Sequence, residues 1–139
     1  MIDPSLEFQT AIRAALIENQ VVSELVPADH VRAGSTRPDK LPCIILASPQ
    51  LINLGRAGGG AFLSRVFIDL HIWALEDGAD MARQIGAAVS VALWDAPQSA
   101  TVGIDGYERP SFTYMRDPDP ERAYCHGVGT VEGVIRWSV

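Results

Sequence analysis

The apolar positions of this chain follow two rhythms, one near 3.6 residues and one of two. Phe8, Ile12, Ala15 and Leu16 recur at helical spacing. Asp3 precedes them as a capping acceptor, and Pro4 stands where a missing N–H costs nothing. A helix is therefore expected from Pro4 to about Asn19. A shorter one follows over about Val21–Val26 and is stopped by Pro27. Farther on, Met81, Ile85, Ala88, Val89, Ala92 and Leu93 form the second long helical stripe. Glu76, Asp77 and Asp80 put acid at its start, where the helix dipole favours it, and Pro97 is expected to close it. Ala82, Gly86, Ala87 and Ser90 leave part of this helix thin enough for close approach by a sheet or a second subunit.

The two-residue rhythm marks strands. Cys43-Ile44-Ile45-Leu46-Ala47-Ser48 is short and continuously apolar, as in a strand buried on both faces. Pro49 limits it or marks a bulge, and Leu51-Ile52-Asn53-Leu54 continues it. Residues 33–42, with Gly, Ser, Thr and two prolines, read as a loop. Val66, Ile68, Leu70, Ile72 and Ala74 alternate with Phe67, Asp69, His71 and Trp73, giving one core face and one mixed face. These two strands form an antiparallel hairpin whose tip, Gly55 to Gly60, is expected to be flexible. Thr101–Ile104 is a short strand before an Asp105-Gly106 turn signal. Ser111–Arg116 alternates, and Asp117-Pro118-Asp119-Pro120 breaks it. The last strand sets Val131, Ile135, Trp137 and Val139 near one face. Gly127, Gly129 and Gly133 are expected to allow bulges in it. The order α-α-β-β-α-β-β-β favours an α+β fold: a mostly antiparallel sheet, with the N-terminal helix pair and one long central helix packed on one face.

Composition narrows what such a fold can be. At 139 residues, residues 1–139 form one expected domain. Hydrophobic content of 47% and charged content of 20% argue against disorder. The N-terminus lacks a signal-peptide pattern, and no apolar stretch is long enough to span a membrane. Cys43 and Cys125 are read as reduced thiols of a cytosolic protein. A net charge of −6, with arginines scattered, argues against gripping DNA.

Candidate chemistry is thin. His30, His71 and His126 show no HExxH spacing, and Asp69-x-His71 reads as a polar stripe rather than a metal pair. Cys125-His126 is adjacent in sequence, whereas a catalytic dyad usually joins separate segments. Gly55 to Gly60 lies between strands and lacks the Lys-Ser/Thr of a phosphate loop. Asp117, Asp119 and Glu121 lack the glycine of a calcium loop. Trp73, Trp94 and Trp137 lie on apolar patterns and are expected in the core. No catalytic residue, cofactor or metal is assigned.

Four stretches together resemble the tail terminator, or tail completion and head–tail joining, proteins of tailed phages, prophages and gene transfer agents. They are the helix pair from Ala11-Ile12-Arg13-Ala14-Ala15-Leu16 through Leu25-Val26, the strand entry Leu41-Pro42-Cys43-Ile44-Ile45-Leu46, the unit from Phe67 to Ala74 with Met81–Leu93 and Asp95-Ala96-Pro97, and Met115-Arg116-Asp117-Pro118-Asp119 leading through His126-Gly127 into the last strand. The likeness spans nearly the whole chain. It departs from the pattern in the glycine-rich tip and in the long stretch Asp119–Cys125.

The resemblance implies a structural virion protein, not an enzyme. It implies a homo-oligomeric ring, usually of about six copies, at the head-proximal end of the tail tube. That ring would end tube polymerisation and join the tail to the head connector or stopper protein. DNA would cross its lumen without specific binding, no membrane would be involved, and assembly would take place in the bacterial host cytoplasm. Arg56, Gly58, Gly59, Gly60, Asp117, Asp119 and Arg122 are the expected interface residues. Two other readings stand beside it. One is a different connector part, such as a stopper or a tail-tube-like subunit. The other is a small cytosolic enzyme or ligand-binding domain with a pocket at Asp69, His71 or Cys125.

Overall fold

The computed structural model describes residues 1–35, 37–75, 80–117 and 123–139. The first helix, α1 (Pro4–Glu18), begins as its sequence predicts. The Asp3 carboxylate accepts from the amides of Ser5 and Leu6 at 2.8 and 3.3 Å. Asn19 closes α1 through its backbone and caps α2 (Gln20–Leu25) with its side chain, which accepts from the Val22 amide. Phe8, Ile12 and Leu16 bury the apolar stripe of α1.

The sheet contains β1 (Val31–Ala33), β2 (Cys43–Arg56), β3 (Phe62–Leu75), β4 (Gly103–Glu108), β5 (Phe112–Arg116) and β6 (Tyr124–Trp137). Its order is β1-β2-β3-β6-β4, with β5 also on β6. Every pairing is antiparallel except β1 with β2. Helix α3 (Met81–Ala92) and α1 cover one face, so the architecture is α+β as the element pattern implies. Ile44, Leu46, Val66, Ile68, Leu70, Ile72, Val131 and Ile135 form the floor of that core. A smaller cluster of Cys43, Ile45, Ala47 and Trp73 lies on the other face, with Leu41 and Tyr124 against it. The first five residues of β2 are thus buried on both sides.

Several local expectations need correcting. Val31–Ala33, partly assigned to a loop, is a short parallel strand beside Ile44–Leu46. Gly55 and Arg56 belong to β2, so the hairpin tip is shorter than six residues. Asp105-Gly106 is no hairpin turn. It sits inside β4, where the register against β6 shifts between Ile104 and Gly106. Helix α3 ends at Ala92 with Leu93 as its cap, well before Pro97. Asp80 is its N-cap residue but makes no side-chain cap bond, and residues 76–79 lie outside the described set.

The glycines of β6 do not bulge it. Its register against β3 runs unbroken from Phe62↔Trp137 to Leu75↔Tyr124. They make room for rings instead. A Cβ at Gly133 would stand 2.9 Å from the Phe8 ring, at Gly129 2.9 Å from Phe112, and at Gly127 2.9 Å from Tyr114. The thin face of α3 serves the same end: a Cβ at Gly86 would collide with the Tyr114 hydroxyl. Trp94 is not core. It is about half exposed and lies under the Arg109 guanidinium, 4.4 Å from the ring centre. Val139 is exposed beyond the end of β6.

Candidate interaction surfaces

Two parts of the sheet carry the features that call for explanation. The first is the far half of the β2–β3 hairpin. Pro49 marks a register shift between Ala47 and Gln50, with Ser48 at φ 49°, and the strand then resumes. From Ser48 to Arg56 every residue is exposed, including Leu51, Ile52 and Leu54. No described strand pairs with the outer edge of this segment, since β1 reaches only as far as Leu46.

This arm is braced from within. The Trp137 indole N–H donates to the Ser64 hydroxyl at 3.0 Å, and Ser64 donates to Asn53 Oδ1 at 2.9 Å. Phe62 packs on Trp137 with ring centres 5.0 Å apart, and the Arg56 guanidinium lies 4.7 Å from the Phe62 ring centre. The tip is a tight turn at Gly58–Gly60, closed by the Ala57 amide bonding to Ala61 O at 2.9 Å. Gly59 and Gly60 have φ of 76° and 79°, which only glycine adopts without strain. The tip is a turn that presents Arg56 at its shoulder.

The second feature is a stack on the sheet face away from the helices. Strand register brings His71 and His126 together, with His71 Nδ1 2.7 Å from His126 Nε2. One nitrogen must donate and the other accept, so at least one ring is neutral. Trp73 stacks on His126 at 3.8 Å between ring centres, and the Arg37 guanidinium lies 5.1 Å from the Trp73 ring centre. Arg37 also pairs with Asp117 at 3.2 Å, across eighty residues of sequence. Burial pushes His126 down to about 4, helped by the neighbouring His71 and Arg37 and opposed by Asp117. Burial also lowers His71, against the pull of Asp69. The Trp73 indole N–H is buried with no partner among the described residues.

The expected site residues separate accordingly. Arg56, Gly58, Gly59 and Gly60 share the arm tip. Asp117 is nearly fully buried at the far end of the sheet, held by Arg37. Asp119 and Arg122 lie outside the described residues. The trio invoked for a pocket does not assemble. Asp69 and His71 are on the bare face, with Asp69 accepting from Thr130 at 2.9 Å, whereas Cys125 packs toward the helix side. Cys43 and Cys125 are not bridged to each other, and burial raises Cys43 to about 11. Among the described residues no three His, Cys, Asp or Glu side chains gather as a metal site. No described helix is long and apolar enough to cross a membrane. Reading the residues singly missed the apolar arm edge and the histidine pair. The first was signalled by apolar residues at consecutive, not alternate, positions. The second needed the β3–β6 register.

Exposed edges and braced surfaces are the features that stand out among the described residues. The sequence comparisons give the chain a family. The profile of the tail completion protein gp17 family matches residues 10–136. The chain belongs to that family and is a structural protein of phage-type tails. No curated protein sequence matches it significantly. Among solved structures it is similar to a chain described as "Virion of native gene transfer agent (GTA) particle". That match has a TM-score of 0.62 and 16% identity, and it covers 98% of this chain and 99% of the other. At that identity the likeness concerns the fold.

Proposed function

We propose that this protein is a tail terminator. Copies form a closed ring, of about six by analogy with the family's expected build, on the head-proximal end of the tail tube. The ring ends tube polymerisation and offers its other side to the head connector. The observation that carries this reading is the braced β2–β3 arm. It projects an apolar, unjoined strand and a charged tip in a chain whose family completes tails. A lone subunit gains nothing from exposing Leu51, Ile52 and Leu54, whereas a subunit that docks in assembly does.

Within this reading Arg56 and Gly58–Gly60 contact a neighbour directly. Asp117 acts as an anchor, fixing the start of the segment that carries Asp119 and Arg122, which meet the tube or connector. The lumen passes DNA without binding it, because each copy adds a net charge of −6. Assembly takes place in the bacterial cytoplasm and the product resides in the virion.

The test is native mass and negative-stain imaging of the protein, alone and with its tube protein. A discrete ring, or tubes capped at one end and limited in length, is expected. Long tubes from this protein alone would indicate a tube subunit. Tubes of unlimited length in its presence would overturn termination. Deleting Gly58–Gly60 should leave the melting curve unchanged and stop tails from joining heads, as scored by particle yield.

A further inference from the structure

The two open edges of the sheet stand at the same height. Reading across the strands, Gln50 faces Phe67, Phe67 faces Glu132, and Glu132 faces Glu108. In the same way Asn53, Ser64, Ile135 and Ile104 form a row. The unjoined half of β2 on one edge thus spans the same level as β4 on the other. Nearer the opposite end of the sheet, β1 covers the β2 edge and β5 covers the β6 edge. The outer sides of β1 and β5 are open there as well, but at the level of β2 and β4 the edge strand also exposes Leu51, Ile52 and Leu54.

The strand senses also fit. Successive antiparallel pairings make β2 antiparallel to β4. A second copy placed beside the first by rotation about an axis along the strands would bring β4 against β2 in antiparallel sense, the arrangement with perpendicular hydrogen bonds. No like charges would meet across these edges. Gln50–Gly55 carries no charged residue, and Glu108 shares its row with Gln50, while Arg56 lies beyond the Gly55 end. Arg136 already grips Asp105 at 2.9 Å, and no described cation pairs with Glu108. The β2 edge has none of the lysines or inward charges that keep a strand edge solitary.

We infer that a second copy of this chain occupies the edge: Gln50–Gly55 of one subunit pairs with Gly103–Glu108 of the next. This rests on the ring reading above and names its seam. The contact is head-to-tail, so repetition either closes a ring or grows a filament. Four strands per copy at this level would give six copies a cylinder about 45–52 Å across between backbones, from ~4.8 Å per strand and the usual strand tilt of about 35–45°. The helices then lie outside and the bare face inside, with Glu108 and Glu132 against Arg65 at this level. Ile52 shares a row with Arg65 and so faces the lumen beside the seam.

Cysteine pairs test the register. Gln50 and Glu108 are both exposed and share a row. Within one chain, two strands separate them by about 14 Å, too far for a disulfide. Any bond in the Q50C/E108C variant is therefore between subunits. Mild oxidation should yield a ladder ending in one discrete covalent ring, reversed by thiol. The N53C/E108C pair, out of row and on opposite faces, should cross-link at least tenfold more slowly. Of Leu51 and Ile52 one turns its N–H to the open edge, and proline at that position should abolish the oligomer in native mass while the β2–β3 pairing persists.

A ring that forms without the Q50C/E108C bond, or that survives both L51P and I52P, overturns the seam and leaves the ring. An endless ladder supports the seam and overturns the closed ring. Monomers at every concentration, and on added tube ends, overturn both.

Discussion

Strand β2 is two strands in one. Cys43–Ala47 is buried on both faces, against helices on one side and Trp73 and Tyr124 on the other. Gln50–Arg56 also carries Leu51, Ile52 and Leu54, yet these three stay about 40–50% exposed. The bulge at Ser48-Pro49 separates them. The same kind of residue therefore serves two ends. In the first half, apolar surface removed from water stabilises the fold at roughly 25 cal/mol per Å². In the second half that gain is withheld until another surface arrives. Folding and assembly draw on different halves of one strand, so substitutions should separate them.

The largest effect is expected from matched truncations on either side of the bulge. Leu46→Ala empties a fully buried site and should cost about 2–5 kcal/mol in urea denaturation. Leu51→Ala removes the same atoms from the arm and should change stability by about 0.5 kcal/mol or less. It should weaken oligomerisation instead. Equal losses of stability from both would end the distinction between the halves.

Glycines provide a second, smaller contrast. Gly133→Ala drives a methyl into the Phe8 ring and should cost about 1–3 kcal/mol. At Gly58 a Cβ meets nothing within 4 Å and φ is not positive, so Gly58→Ala should be silent in thermal unfolding. If Gly58→Ala nevertheless lowers particle yield, the tip is a contact and not a scaffold.

How far the sequence spoke follows the same division. The covered half was legible because burial imposes rhythm: the stripes of α1 and α3 and the alternation of β3 are consequences of one wet and one dry side. The cap at Asp3 was legible because it is local. Other features were hidden because they depend on pairing across the chain. The β6 glycines looked like weak points, since nothing in their own segment names Phe8, Phe112 or Tyr114 as the rings they admit. Asp105-Gly106 has the chemistry of a turn and became a bulge because the partner strand continues past it. Trp94 matched an apolar pattern at a helix end, yet it lies beyond the last turn of α3, where Arg109 covers it.

Arg37→Ala should have a more modest effect. It removes one partner of a buried carboxylate at Asp117 and the cation over Trp73. Because Arg37 itself is about half exposed, a loss of about 1 kcal/mol is expected, at the upper end for ion pairs with an exposed member. The loss should be similar at low and high salt, since the Asp117 side is shielded from solvent.

Acid should act on the covered end alone, and its sign follows from His126. Its folded value of about 4 lies below the ordinary 6.5, so between these pH values the unfolded chain binds more protons than the folded one. Stability then rises with pH across that interval. The contribution is complete above about 6.5 and is lost as pH falls toward 4. The groups that set this are the burial of the ring, His71 and Arg37 disfavouring a second charge, and Asp117 opposing them. His71, also lowered by burial, adds in the same direction. The melting temperature should therefore fall between pH 6.5 and 4, and His126→Gln should flatten that slope. Hydrogen exchange would locate the effect. Amides near Trp73 and His126 should lose protection in acid while those of Ser64 and Phe62, braced by groups that do not titrate in this range, should not. Uniform loss along β3 would mean that the two halves of the sheet yield as one, and the independence of the arm from the covered end would have to be given up.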